Sequence, residues 1–465
     1  MTDKNKKIGS ILIANRAEIA VRIIRAARDL GIKSIAVYSE ADEGSLHVRL
    51  ADEKIPLGGS TAKDTYLHID KIIAAAKQSG ADAIHPGYGF LAENEEFAER
   101  VENEGIIFIG PNSKVIRKMG DKLNAREAAE KANVPILPGL LFDGDIEKAK
   151  EFSNRVGYPL IIKATAGGSG RGIRVCHSEK ELANSIEDAS KEAESAFGSG
   201  TVFIEKFLSS PKHIEIQIAG DKGGNAIHFF ERECSLQRRR QKLLEEAPAS
   251  TISQSLRDRI AEAAVRLAKE VEYESVGTME FLVEEKDGAG SFYFLEMNTR
   301  IQVEHPVTEE ITGVDLLTLQ IKIAEGENIV SYRKDSPNGH ALEFRLYSED
   351  VKDDFRPLTG KISQIILPSG PGVRVDSWIE NHGVVSPYYD ALLAKIIVKG
   401  SSRKEAIARA KRALHETVVD GIGCNLGFFR WLLDQPSFIM GTYHIKWLEN
   451  EYKGEEGGSF FVGPL

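Results

Sequence analysis

The stretch Phe292 to His305 constrains the fold more than any other segment, because it alternates with a period of two. One face carries Glu296, Asn298, Arg300, Gln302 and Glu304; the other carries Tyr293, Leu295, Met297, Thr299, Ile301 and Val303. Such alternation is the signature of a half-buried strand, so a strand is expected over 292–305. Its polar face is not the usual solvated mix. It offers metal-ligand oxygens (Glu296, Asn298), a fork-shaped donor (Arg300), an amide (Gln302) and a candidate base (Glu304). Upstream, Gly277 to Val283 reads as a partner strand, with Asp287-Gly288-Ala289-Gly290 as the turn. A hairpin symmetric about Gly288 sets Glu280 opposite Glu296. Like charges so placed repel unless a cation lies between them. Oxygen-only ligation with Asn298 nearby suits Mg²⁺ or Mn²⁺, usually shared with nucleotide phosphates. A solvated charged face is the alternative.

The rest of the chain frames this hairpin. At about 150 residues per domain, 465 residues suggest roughly three domains. The first 110 or so alternate strand and helix: Ile8 to Ala14, a helix over Glu18 to Leu30 ended by Gly31, Lys33 to Tyr38, a helix over Ile69 to Lys77, and Ala81 to His85. That order implies a parallel sheet with helices on its faces. The first strand runs into Ala14-Asn15-Arg16-Ala17-Glu18, with no G-x-G-x-x-G, which argues against a dehydrogenase. Farther on, Asp121 to Ala132 and Ser253 to Tyr273 read as helices, the latter with Ser255-x-x-Asp258 as a capping box. Asn328 to Asn338 reads as a linker, followed by strands Leu342 to Tyr347, Lys361 to Leu367 and Leu392 to Val398 and a helix Lys404 to His415.

Two further stretches carry chemistry. Lys163 to Gly172 is a glycine-rich loop between apolar runs, with Lys163 and Arg171 supplying positive charge. Its backbone amides can close around phosphate oxygens. The Lys precedes the glycines, so it is not a Walker A loop; a flexible surface hairpin is the alternative. Cys234 to Lys242 gathers four cations, readable as a solvated charge run or as an anion site. The whole chain has 60 Lys plus Arg against 70 Asp plus Glu, a net charge of −10, which speaks against a nucleic-acid binder. Three cysteines without metal spacing point to a reducing compartment. No apolar run of about 20 residues suggests a membrane span, and the polar start MTDKNKKIGS has no signal-peptide core, so a cytoplasmic protein is expected.

Taken together, IANRAEIAVRIIRAARDLG, IHPGYGFLAEN, FIGP, MGDK, the glycine-rich loop, ERECSLQRRRQK, EEAP, EMNTRIQVEHPVTE, ITGVDL and PYYDALLAKIIV resemble the biotin carboxylase family of ATP-grasp ligases, over about residues 8 to 450. The resemblance implies an α/β fold: a Rossmann-like parallel domain over 1–118, an ATP-grasp domain over 119–327 with a mobile lid at about 135–207, and a mixed α+β domain over 336–450. It implies that Lys122 and Lys163 contact ATP phosphates and that Gly168, Ser169 and Gly170 close as the lid. Glu205, Lys206, Phe207 and Leu208 would hold the adenine, with Leu282 also at the nucleotide, His213 and Gln237 near the ribose and Lys242 near the transferred phosphate. Glu280, Glu296 and Asn298 would hold Mg²⁺ or Mn²⁺. Arg300, Gln302 and Val303 would bind bicarbonate, Glu304 would deprotonate it, and Arg345 would stabilise the biotin oxyanion. The sequence departs from the family's commonest pattern at Arg240, where many members have His, and at Ala17, Ala166 and Ser169, which replace glycines. No Met-Lys-Met biotin-accepting signature occurs. The implied arrangement is a homodimeric protein with biotin on a separate carrier protein and a carboxyltransferase as partner. An acyl-CoA carboxylase is the leading assignment. The biotin carboxylase component of a pyruvate or 2-oxoacid carboxylase, another ATP-grasp ligase and a non-catalytic nucleotide-binding regulator are the alternatives.

Overall fold

The alternating elements of the N-terminal region assemble into a five-stranded sheet in the computed structural model, which describes residues 7–164, 173–197, 199–286 and 289–452. Its order is Glu53–Pro56, Lys33–Tyr38, Ser10–Ile13, Ala83–His85 and Ile107–Phe108, and every pairing is parallel. Ile11, Leu12 and Ile13 are wholly buried, as a central parallel strand requires. Helix Ala17–Asp29 buries Ile19, Ile23, Ala26 and Ala27 against it; Leu30 caps the helix, and Gly31 follows at φ +69°. The sheet order reverses between Ser10–Ile13 and Ala83–His85, where an open α/β fold usually places a ligand. Here Asn15 closes the crevice: its Nδ2 donates to the carbonyls of Pro86 and Tyr88, both at 2.7 Å. Gly87, at φ +64°, admits this stitch, since a Cβ there would lie 2.9 Å from the Asn15 amide nitrogen.

An eight-stranded sheet follows, ordered Ala289–Asn298, Ser275–Lys286, Lys212–Gly220, Ala226–Arg238, Gln241–Ala247, His340–Tyr347, Leu392–Gly400 and Val373–Ser377. From Ser275–Lys286 onward each neighbouring pair is antiparallel. Strands from the central and C-terminal regions thus share one sheet. Helix Arg403–Glu416 covers the C-terminal end through Ala406, Ala410, Ala413 and Leu414, which pack on Leu342, Phe344, Ile396 and Val398.

The contacts divide the chain into two compact units. One comprises residues up to Val134, Lys212–Ser291 and Leu295 onward; the other comprises Pro135–Pro211 with Phe292–Phe294. The second unit has its own four-stranded antiparallel sheet, ordered Gly139–Leu141, Val202–Lys206, Leu160–Ala164 and Ile173–Cys176. Its core gathers Ala149 and Phe152 from one helix, Leu182, Ile186 and Ala189 from another, and Leu160, Ile162, Val202 and Ile204 from the strands. Gly168, Ser169 and Gly170 lie outside the described residues, as does most of the glycine-rich loop.

Three local expectations change. The strand expected over 292–305 ends at Asn298; Thr299 to Glu304 is irregular, and helix His305–Thr312 begins beyond it. Thr299, Ile301, Gln302 and Glu304 are all at most 3% exposed, so both faces of this segment are covered. Pro306 in the first turn starts the helix. The helix expected from Ser253 spans Gln254–Glu270 with Ser253 as its N-cap, so Ser255 lies within the first turn and forms no capping box. The strand expected over 361–367 is two short ones, Gly360–Lys361 paired with Val384–Val385 and Gln364–Ile366 paired with Val418–Asp420. Among the described residues no helix is long and apolar enough to cross a membrane.

Candidate active site

The antiparallel register builds a row of charge across the large sheet. Glu215 lies opposite Arg232 on one side and Glu280 on the other. Arg232 is fully buried and forms an ion pair with Glu215, with further bonds to Gln217 Oε1 at 2.6 Å and to the Thr278 and Thr308 hydroxyls at 3.0 Å. Two acids side by side would repel. The ammonium of Lys242, from strand Gln241–Ala247, resolves this: it lies 2.7 Å from Glu215, 3.0 Å from Glu280 and 2.6 Å from Glu304. The basic cluster therefore splits. Lys242 turns inward, Arg238 and Arg239 pair with Asp354, and Arg239 and Arg240 form the hairpin tip at φ +48° and +70°.

Glu280 is the most connected of the three acids around Lys242. One oxygen accepts from Asn298 Nδ2 at 2.9 Å and Gln302 Nε2 at 3.0 Å, and the other lies 2.8 Å from His213 Nε2. Burial opposes its charge, but Lys242 and His213 outweigh that and hold the carboxyl well below its ordinary range. Glu296 keeps solvent access as a residue while its carboxyl faces the crowded acid row, where desolvation and then the charge of Glu280 raise it. Arg300 donates to Asn298 Oδ1 at 2.8 Å and to Glu93 at 2.8 Å, while Glu93 also accepts the Thr299 amide at 3.1 Å. Glu304 is gripped between two cations, Lys242 at 2.6 Å and Arg345 at 2.9 Å. Burial works against its charge, yet Lys242, Arg345 and Arg232 hold it far below the usual carboxylate range. Arg345 in turn donates through Nε to Glu245 at 2.6 Å. The half-buried Val303 offers its carbonyl to Lys395 at 3.0 Å.

The remaining candidates fall in two groups. In the first unit, Gln237 Nε2 is 3.4 Å from His213 Nδ1, Leu282 pairs with His213 across the ladder, and the exposed Lys122 opens helix Lys122–Lys131. In the second unit, Lys163 pairs with Glu205 at 2.6 Å. The Lys206 ammonium there is used on the carbonyls of Gly157 and Tyr158, at 3.0 Å each. The Phe207 amide bonds the Pro159 carbonyl at 3.1 Å, and Leu208 is buried. Cys234 is buried and its thiol is pushed up by desolvation and by Glu215, which leaves it an inert packing group.

Sequence reasoning passed over Glu93, Glu215, Arg232, Glu245 and Lys395. Glu215 had a visible signal: His213-Ile-Glu-Ile-Gln-Ile alternates as cleanly as the Phe292 run. A divalent cation fits Glu280, Glu296 and Asn298 by donor chemistry, because all three offer hard oxygen atoms and the charge of Glu280 is felt at the Glu296 carboxyl. His213, Glu215 and Glu280 also come within 4.8 Å of one another, as do Glu215, Cys234 and Glu304. There the Lys242 ammonium already supplies the positive charge.

Residues 7–116 match the family model described as the biotin carboxylase N-terminal domain, 121–331 the carbamoyl-phosphate synthase L chain ATP-binding domain, and 343–450 the biotin carboxylase C-terminal domain. Biotin carboxylase 1 of Bacillus subtilis is 49% identical over 444 residues, covering 95% of this chain and 98% of the relative. One of the pyruvate carboxylase subunits of Methanothermobacter thermautotrophicus is 47% identical over 446 residues, covering 96% and 90%. Among solved structures, the biotin carboxylase domain dimer of Hydrogenobacter thermophilus 2-oxoglutarate carboxylase, in complex with MgADP, ADP and bicarbonate, superposes with a TM-score of 0.88 at 45% identity, covering 96% of this chain and 98% of that one. The chain is an ATP-dependent ligase and belongs to the biotin carboxylase family, with an ATP-grasp fold.

Proposed function

We propose that the protein carboxylates biotin held on a separate carrier protein, using ATP and bicarbonate, as the first half-reaction of an acyl-CoA carboxylase with acetyl- or propionyl-CoA as final acceptor. The observation that carries the carboxylation reading is Glu304, an acid at the end of the Arg300–Gln302–Val303 run, clasped by Lys242 and Arg345. Bicarbonate sits at Arg300, Gln302 and Val303. Its oxygen attacks the γ-phosphorus, ADP departs, and Glu304 takes the proton. As folded, Glu304 is too well stabilised to be a base. The Lys242 ammonium supplies the switch: once drawn to the transferred phosphoryl group it leaves Glu304 with one fewer cation, and the proton affinity of the carboxylate climbs. Carboxyphosphate then breaks into CO₂ and phosphate. The phosphate removes the ureido N–H proton, the nitrogen attacks CO₂, and Arg345 faces the oxyanion that develops on biotin.

Glu280, Glu296 and Asn298 would hold Mg²⁺ or Mn²⁺, which neutralises phosphate charge when bound. Nucleotide contacts are assigned to Lys122, His213, Gln237 and Leu282 in the first unit. In the second, Lys163 takes phosphate, Glu205, Lys206, Phe207 and Leu208 take adenine, and Gly168, Ser169 and Gly170 form the lid. The carrier protein, a carboxyltransferase and a second copy of this chain are the expected partners. The acyl-CoA acceptor rests on a resemblance of Arg240 and of the Arg-Leu-Tyr-Ser-Glu-Asp run (Arg345 to Asp350) to acyl-CoA carboxylase types. A 2-oxoacid acceptor is the second reading, favoured by the pyruvate and 2-oxoglutarate carboxylases among the relatives.

The test mixes protein, Mg²⁺, ATP, bicarbonate and free biotin and follows ADP release with each omitted in turn. Release that ignores bicarbonate overturns the carboxylation reading. Adding the protein's own carrier and carboxyltransferase, with acetyl-CoA, propionyl-CoA or pyruvate, decides the acceptor.

A further inference from the structure

Lys395 is fully buried in the middle of strand Leu392–Gly400, between Ala394 and Ile396. The register sets it directly opposite Arg345 on one side and Asp376 on the other. Two cations facing each other across a ladder destabilise it, and a buried charge costs several kcal/mol that an apolar side chain of similar volume avoids. Sheet packing alone does not call for Lys here. Its ammonium has two partners: Glu18 Oε2 at 3.1 Å and the carbonyl of Val303 at 3.0 Å. Glu18 is itself 1% exposed, and its other oxygen accepts the Tyr88 hydroxyl.

The contact with Val303 gives this charge a purpose. Thr299 to Glu304 belongs to no strand or helix, so its carbonyls lack ladder partners. They are held one by one: Ile301 by Arg300 at 3.2 Å, Gln302 by His305 Nδ1 at 2.6 Å, and Val303 by Lys395. A peptide group is planar. Holding the Val303 carbonyl therefore constrains the Val303–Glu304 plane, including the Glu304 amide and the place of the Glu304 Cα from which the side chain departs.

We propose that Lys395 is a positioning residue: anchored by Glu18, it sets the Val303–Glu304 peptide so that the Glu304 carboxylate meets bicarbonate in the reacting geometry. This rests on the carboxylation reading above. Lys395 touches no substrate; it acts through the backbone of residues that do.

The test compares Lys395→Gln with Lys395→Met in the full chain. Both remove the charge, but only the Gln amide can still donate to the Val303 carbonyl. Each variant is assayed for bicarbonate-dependent ADP release at varied bicarbonate and for ATP affinity by calorimetry. A misplaced reacting group costs up to about a hundredfold in rate. Lys395→Met is therefore expected to lower kcat/KM for bicarbonate at least about tenfold with ATP affinity within about threefold, and Lys395→Gln to recover a large part of the loss. If Lys395→Met does not fold, Glu18→Gln, which loosens the anchor while keeping Lys395, is expected to lower the same ratio. The proposal falls if the folded Met variant, or Glu18→Gln in its place, stays within twofold of wild type. It also falls if Gln and Met lose bicarbonate and ATP affinity alike. A wild-type protein whose ADP release ignores bicarbonate sinks the functional reading instead.

Discussion

Glu304→Gln separates the base from the scaffold around it. The amide keeps the carboxylate's shape, but it has one oxygen to offer where two cations compete, Lys242 at 2.6 Å and Arg345 at 2.9 Å. Its NH₂ must face the other cation. Neither cation is stranded: Lys242 keeps Glu215 and Glu280, and Arg345 keeps Glu245. The stability loss should therefore be that of a weakened charged hydrogen bond, about 1.5–3 kcal/mol, rather than the ~3–5 kcal/mol of an orphaned buried charge. Because the variant leaves Lys242 itself intact and still partnered by Glu215 and Glu280, ATP affinity should remain within about threefold of wild type, a shift under 1 kcal/mol. Removing a general base costs about 10²- to 10⁴-fold in rate. Bicarbonate-dependent ADP release should drop by that factor, while calorimetry still detects ATP binding and denaturant unfolding still shows a cooperative transition. Turnover within about tenfold of wild type would refute the role of Glu304 as base.

Arg345→Ala should lower biotin carboxylation at least about tenfold more than bicarbonate-dependent ATP cleavage, because the oxyanion it faces forms only in the second step; equal losses in the two assays would count against it. Ala17 sits at φ +56°, in the left-handed region where glycine is at ease. Ala17→Gly should raise the unfolding midpoint by a free energy of up to about 1 kcal/mol, the strain relieved less the added freedom of the unfolded chain. Glu246 is buried against His340 at 2.6 Å and Arg403 at 2.7 Å, and these partners overcome burial and hold its carboxyl well below the ordinary value. Its contribution to stability is therefore complete above the unfolded pKa of about 4.3 and fades as pH falls below it. Glu246→Gln should flatten that part of the acid limb in pH-dependent denaturation, and an unchanged limb would assign the loss elsewhere.

The N-terminal sheet was legible because helix and strand periods alternate there over short distances, and strand Lys33–Tyr38 has the bounds its residues suggest. The end of strand Ala289–Asn298 was not. Period-two alternation continues in the sequence to Glu304, but after Asn298 both faces are covered, and alternation cannot distinguish a strand with one wet face from an irregular segment enclosed on all sides. Glu280, Arg300, Gln302 and Glu304 could be singled out because they crowd one polar face. Their partners could not. Arg300 meets Glu93 across 207 positions, and Glu304 meets Lys242 across 62. No local period spans such separations; only the sheet order brings these residues together.

That order also explains why some buried acids are shifted up and others down. Lys242, Arg232, Arg345 and Lys395 are matched by Glu215, Glu280, Glu304, Glu245 and Glu18, with Glu343 directly opposite Glu245. Where acids face each other, burial and the neighbouring charge raise the proton affinity: Glu245 is pushed up to about 7 and Glu343 well above its ordinary value. Within this row Lys242 is already committed to three carboxylates. In the proposed reaction Lys242 would serve the phosphoryl group by leaving Glu215, Glu280 and Glu304, and each of these would then lose a compensating cation. At Glu280 that loss would strengthen the attraction for a divalent cation, which Glu280, Glu296 and Asn298 would hold. At Glu304 it would raise the affinity for a proton. One movement of one ammonium would therefore couple nucleotide charge, metal affinity and base strength, so a variant that pins Lys242 in place should weaken all three together.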